Sequence, residues 1–222
     1  MDDVTLVIPA KNESESLPKV LKEIEDYKIQ KIVVIPKDDY LTREAIKNFD
    51  CKIIDQLGKG FGNALKIGIN SVETKYFCIF NADGSFNPKY LNDLRKILVN
   101  GKDFVFSSRY QPGGGSEDDT MLTYIGNKFF TALCNLLFKL EIKDVLFTYV
   151  MGLTSAFKKL DIKFDDFSFC IELPIKAKLK NYILGNSSSF ERSRIAGAKK
   201  VNEFKDGFLI LISILRLLFF KK

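Results

Sequence analysis

The sequence predicts an α/β protein in which a mainly parallel central sheet is flanked by helices. Short apolar runs of buried-strand type recur through the first hundred residues, and stretches with the 3, 4, 7 spacing of amphipathic helices alternate with them. Such alternation builds parallel sheets covered on both faces. The chain has 222 residues, 46% hydrophobic and 28% charged, which suits one globular domain with a sizeable core.

The first expected strand is VTLVIP, Val4–Pro9. Asn12, Ser14 and Ser16 offer caps for a helix in which Leu17, Val20, Leu21, Ile24 and Tyr27 form one apolar face. KIVVIP (31–36) and CKIID (51–55) are the second and third strands, and a helix follows Gly62. YFCIF (76–80) is the fourth strand. Asn87 and Pro88 read as the cap and first residue of a helix ending near Asn100-Gly101, and DFVFSS (103–108) is the fifth strand. Beyond it lie a flexible acidic loop, QPGGGSEDDT, and a helix near Leu122–Leu140. A mixed region runs to about Lys180, and a polar, basic stretch leads to the apolar end GFLILISILRLLFF. Residues 1–200 are expected as the catalytic domain, and 201–222 as a helix either packed on it or lying at a membrane surface.

Composition narrows the chemistry. There is no histidine, which removes the commonest general base and the commonest transition-metal ligand. The four cysteines, Cys51, Cys78, Cys134 and Cys170, form no CxxC pair, so reduced thiols in the cytoplasm are expected. Any metal should be hard and oxygen-bound. The net charge of +6 is uneven: residues 176–222 hold eleven Lys and Arg against three Asp and Glu. That basic quarter implies an anionic partner. It contains no nucleic-acid motif, so nucleic acid is not the expected one.

In open α/β sheets ligands sit beyond the carboxyl ends of the strands. That rule puts Pro9–Glu13, Asn81–Ser85 and Ser108–Tyr110 on one rim. The fourth strand opens there onto Asn81-Ala82-Asp83-Gly84-Ser85. In extended geometry residues 81 and 83 face the same side, so an amide oxygen and a carboxylate could reach one cation. A plain strand-to-loop turn has the same composition.

VTLVIPAKNESESLPKVL, GKGFGNALKIGI, FNADGSFNPKYL, SSRYQPGGG and ERSRIAGAKK occur in this order. Together they resemble the family 2 glycosyltransferases of the GT-A fold, closest to the dolichol-phosphate mannose synthase branch that glycosylates polyprenyl phosphates. The resemblance implies a GT-A fold, a nucleotide-sugar donor, Mg²⁺ or Mn²⁺, and inverting transfer to a polyprenyl phosphate or glycan in cell-surface glycan synthesis. It implies that Pro9, Ala10, Asn12 and Glu13 cradle the nucleotide, and that Gly58, Gly60 and Gly62 form a glycine-rich turn. Asn81, Ala82 and Asp83 fall on an Asp-x-Asp position. Asp83 is then the principal metal ligand, helped by Asn81 and Ser85, although Asn81 replaces the usual first acid. Asp38 or Asp39 meets the base. Arg109, Arg194 and Lys199 face the diphosphate, and Ala198 stands where the family has serine. On the acceptor side Glu117, Asp118 or Asp119 is a base or an acceptor contact, and a base is needed only for a hydroxyl acceptor. Glu172 looks structural.

The apolar run 207–220 spans about 21 Å as a helix, too short to cross a hydrocarbon core of about 30 Å. Peripheral attachment at the cytoplasmic membrane face is expected, with a packed helix as the alternative. Two other functions stay open: a nucleotidyltransferase, and an inactive module that keeps only nucleotide-sugar binding.

Overall fold

The computed structural model describes residues 1–197 and 203–219, with the backbone alone at Phe204. Lys199, with Ala198 and Lys200, lies outside the described residues. In chain order the elements are β1 (Val4–Pro9), α1 (Leu17–Glu23), β2 (Gln30–Pro36), α2 (Tyr40–Ile46), β3 (Lys52–Gln56), α3 (Phe61–Asn70), β4 (Tyr76–Ile79), α4 (Leu91–Val99) and β5 (Phe104–Ser108). There follow β6 (Gly115–Ser116), α5 (Met121–Phe138), β7 (Val150–Leu153), α6 (Thr154–Phe157), α7 (Phe169–Leu179), β8 (Leu184–Ser188), β9 (Phe190–Glu191) and α8 (Glu203–Phe219).

Seven strands form one sheet in the order β3-β2-β1-β4-β7-β5-β8, and β6 pairs with β9 separately. β3, β2, β1 and β4 are parallel neighbours, as are β5 and β8. β7 is the exception. It inserts antiparallel between β4 and β5, with Met151 opposite both Cys78 and Val105. Strand alternation sends Leu6 and Ile8 into one core with Leu17, Val20 and Leu94, and Val7 into the other with Leu65, Phe77 and Ile214. The sheet is therefore buried on both faces, which explains why its strands read as continuous apolar runs.

Local chemistry sets several element ends. Asn87 caps its turn by accepting from the Lys89 amide. The caps expected for α1 act differently: the Ser16 hydroxyl donates to Glu13 Oε2 at 2.6 Å and accepts no helix amide. α2, which no strong apolar periodicity announces, starts at Asp39, whose Oδ1 accepts from the Thr42 amide at 3.1 Å. α8 buries Ile210, Ser213, Ile214 and Leu217 and packs on α5 and α7.

The chain order also makes a crevice. From β1 the chain runs to β2 on one side, while β4 pairs on the other. The carboxyl ends of β1 and β4 flank that reversal, where α/β sheets bind ligands.

Candidate active site

At the end of β1, Ala10 is held by its amide to the Val34 carbonyl at 2.9 Å. Asn12 adopts φ +54° and gives its amide to Asp39 Oδ2 at 2.6 Å. Glu13 gives its amide to Thr42 Oγ1 at 2.9 Å. The buried Asp39 thus ties the first loop to the start of α2, while its neighbour Asp38 is exposed. Gly60 has φ +102°, and a Cβ there would lie 2.2 Å from the Asp165 carbonyl oxygen. Its glycine character serves close packing of the 164–166 segment. Glu172 pins that segment by accepting from the Lys163 and Phe164 amides at 2.8 and 2.7 Å, and it pairs with Lys176 at 2.7 Å.

The Asn81–Ser85 segment is a turn, the plainer of the two readings of its composition, and its polar groups converge. Asp83 Oδ1 accepts from the Ser85 amide at 3.0 Å and the Ser85 hydroxyl at 2.7 Å. Asn81 Nδ2 donates to the same hydroxyl at 3.2 Å. The turn that brings residues 81 and 85 together needs φ +84° at Gly84. A segment from the far end of the chain, just after β9, lies over it: the Arg192 amide bonds the Ser85 carbonyl at 2.9 Å, and the Ile195 amide bonds the Asp83 carbonyl at 2.8 Å. A Cβ on Gly84 would meet Ile195 Cδ1 at 2.4 Å. Gly84→Ala should therefore cost about 1–3 kcal/mol through the strained φ and push Ile195 outward. Urea unfolding reads the first effect, and donor titration reads the second as weaker binding.

The acidic loop expected to be flexible is clasped to this basic segment. The Ser193 amide donates to Glu117 Oε2 at 2.9 Å, and Arg194 donates to Asp118 Oδ2 at 3.0 Å through Nη2. Arg194 Nη1 also stands 3.7 Å from Asp83 Oδ2. Burial works against the Arg194 charge, but Asp118 and Asp83 more than offset it, and its pKa is raised. Arg192 turns away, into a two-pronged pair with Glu23 at 2.7 and 2.9 Å.

Arg109, expected to face phosphate, is buried among three carboxylates. Its Nε and Nη2 bond the two oxygens of Asp144 at 2.8 and 3.1 Å. Its Nη1 reaches Glu191 Oε2 at 3.1 Å and Asp119 Oδ1 at 3.3 Å. The Phe147 ring lies 4.7 Å from the guanidinium carbon. Tyr110 donates its hydroxyl to Asp119 Oδ2 at 2.5 Å, and Ser116 donates to Glu191 Oε2 at 2.6 Å. Burial raises the pKa of Asp144 and of Glu191, with Arg109 opposing in both. The same carboxylates hold Arg109 firmly protonated against its burial. The sequence alone does not mark Asp144, Tyr110, Ser116 or Glu191 as members of this cluster. Glu191 stands inside a recognised motif, but nothing near Asp144 in EIKDVLF signals its role.

A cation would find oxygen donors here: the Asp83 carboxylate, the Asn81 amide oxygen and the Ser85 hydroxyl. No group of three or more acidic, His or Cys side chains among the described residues could hold a metal alone. This donor set fits a hard cation that brings phosphate oxygens with it.

The model of Glycosyl transferase family 2 matches residues 5–161. A dolichyl-phosphate hexose transferase of Haloferax volcanii is 24% identical over 221 residues, covering 97% of this chain and 93% of that protein. Glycosyltransferase AglJ of the same organism is 22% identical over 180 residues, covering 79% of this chain and 58% of AglJ. Among solved structures, glucosyl-3-phosphoglycerate synthase from Mycobacterium tuberculosis, in complex with Mn²⁺, UDP and glucosyl-3-phosphoglycerate, aligns with a TM-score of 0.77 at 14% identity. That alignment covers 98% of this chain and 80% of that one. The likeness is one of fold, and the fold is the expected GT-A type.

Proposed function

The chain belongs to glycosyl transferase family 2, and on that premise we propose that it moves a hexose from a nucleoside-diphosphate sugar to a polyprenyl phosphate, with inversion at the anomeric carbon. It is a glycosyltransferase by family; the donor, acceptor and stereochemistry are our reading. One observation carries it: Asp83 Oδ2 and the Arg194 guanidinium face each other 3.7 Å apart at the crevice. A diphosphate with its cation needs that pair, a carboxylate for the metal and a guanidinium for phosphate oxygens.

Asp83, with Asn81 and Ser85, would hold Mg²⁺ or Mn²⁺, which when bound neutralises charge on the diphosphate. Arg194 supplies a fixed cation on the same leaving group, where negative charge grows as the sugar bond breaks. The turn at Asn12, locked by Asp39, shapes the nucleotide end of the crevice. An acceptor phosphate oxygen forms the new bond to the anomeric carbon on the face opposite the departing diphosphate, and the carbon–oxygen bond to the diphosphate breaks.

Two further features favour a phosphate acceptor. Asp119 accepts from Arg109, Tyr110 and Asn127, and Asp118 accepts twice from Arg194. Both carboxylates are thus engaged by donors of this chain, and an anionic phosphate needs no base. The likeness to the Haloferax dolichyl-phosphate hexose transferase points the same way. Asp118 then serves as an anchor for the basic segment through Arg194, and Arg109 as the post that holds Asp119. A lipid acceptor implies work at the cytoplasmic face of a membrane. Transfer assays with a panel of nucleotide sugars should yield a glycosylated polyprenyl phosphate of inverted configuration by NMR. Transfer to glycan hydroxyls alone would overturn the acceptor assignment.

A further inference from the structure

Helix α5 turns an apolar face away from the protein. Met121, Leu122, Ile125, Phe129 and Leu136 are exposed, Met121 by 76% and Leu136 by 78%. Positions 121, 125, 129 and 136 recur at helical spacing and share a face, while Thr131, Cys134 and Phe138 on the opposite side enter the core. The helix has no acidic residue. Lys128 is exposed beside Ile125 and Phe129, within 4.8 Å of the Tyr110 ring, and Lys139 caps the carboxyl end. α8 packs alongside and exposes Phe208, Leu215 and Phe219 together with Arg216. The acids just before α5 are spoken for: Glu117, Asp118 and Asp119 bond Ser193, Arg194 and Arg109.

We propose that the outer face of α5 docks on an anionic lipid bilayer. The proposal deepens the lipid-acceptor reading above and rests on it. An amphipathic helix with cations and no acids matches an anionic surface in both apolar area and charge. No helix among the described residues is long and apolar enough to cross a membrane, so α5 lies flat. A second copy of this chain fits the face less well. Lys128 sits near the middle of the helix, and a two-fold axis through that face would bring Lys128 against Lys128, with no acid on α5 to pair. Docking also has a chemical consequence. Thr120 caps α5 directly after Asp118 and Asp119, so a helix lying on the bilayer carries the acceptor-side loop to headgroup level, where a polyprenyl phosphate presents its phosphate.

The test is co-sedimentation of the full chain with vesicles of phosphatidylcholine alone and of phosphatidylcholine mixed equally with phosphatidylglycerol. The chain should sediment with the anionic vesicles, less so at high salt, and weakly with the neutral ones. Ile125→Glu with Phe129→Glu should weaken that binding at least about tenfold, with unchanged circular dichroism. Met121→Glu, at the most exposed end, is the second variant should the pair disturb folding. No sedimentation with anionic vesicles, or equal sedimentation of folded variants, overturns the proposal. So does a vesicle-free dimer that the same substitutions convert to monomer. Vesicle binding that persists without transfer to polyprenyl phosphate would instead sink the acceptor reading and leave the surface standing.

Discussion

Asp83→Asn should lower kcat/KM for sugar transfer by about 10²–10³-fold in a protein that stays folded. The asparagine oxygen can still accept from the Ser85 amide and hydroxyl, which bond Oδ1 in the native turn. The segment above the turn is held by backbone bonds, Ile195 to the Asp83 carbonyl and Arg192 to the Ser85 carbonyl, and these do not depend on the side chain. What disappears is the charge. The turn loses its one carboxylate for a hard cation, and Arg194 loses one of its two anionic neighbours. Unchanged circular dichroism with a collapse in turnover is the expected pair of results. A variant of native activity would remove Asp83 from the chemistry.

Arg109→Met should be the most destabilising single change at the site. The guanidinium is the shared partner of Asp144, Glu191 and Asp119. Removing it leaves buried carboxylates facing one another, a change of about 3–5 kcal/mol. The loss should depend on pH. Burial already raises the pKa of Asp144 and Glu191 in the folded protein, and Arg109 is what restrains the rise. Without it the folded state binds protons more tightly than the unfolded one. Acid therefore stabilises the variant relative to the native chain, and the deficit narrows as pH falls from neutral toward the ordinary carboxylate range. Urea unfolding across that range checks the sign. Adding Asp144→Asn to Arg109→Met should recover part of the stability, because the two residues act through one contact. A pH-independent deficit would contradict the account of the cluster.

The parts of the fold legible in the sequence share a physical cause. β1, β2, β4 and β5 lie inside a sheet covered on both faces, so each is a run of Val, Ile, Leu and Phe that stands out from its flanks. β8 carries Gly185, Asn186, Ser187 and Ser188 at the sheet edge, and no composition rule marks such a strand. β7 is four residues long and antiparallel, and its place between β4 and β5 is a matter of long-range pairing. The site divides the same way. Residues 81–85 and 192–195 could be found because each sits in a compact local motif. The partners of Arg109 are scattered over positions 119, 144 and 191, and only folding collects them. Sequence therefore suggested an arginine aimed at phosphate, while the structure shows one already engaged by carboxylates. Asp39 illustrates the intermediate case: it was one of two candidates, and its cap on α2 shows why it is buried while Asp38 is not.

On the proposed function, the Asp83–Arg194 rim binds a nucleoside diphosphate together with a divalent cation. Thermal unfolding of the purified chain with a panel of nucleoside diphosphates, each with and without Mn²⁺ or Mg²⁺, tests it most directly, since a ligand that binds only the folded state raises the midpoint by mass action. One base should raise the midpoint only when metal is present, and Asp83→Asn should lose the rise. No shift with any nucleotide, or a shift that needs no metal and survives in Asp83→Asn, would contradict it.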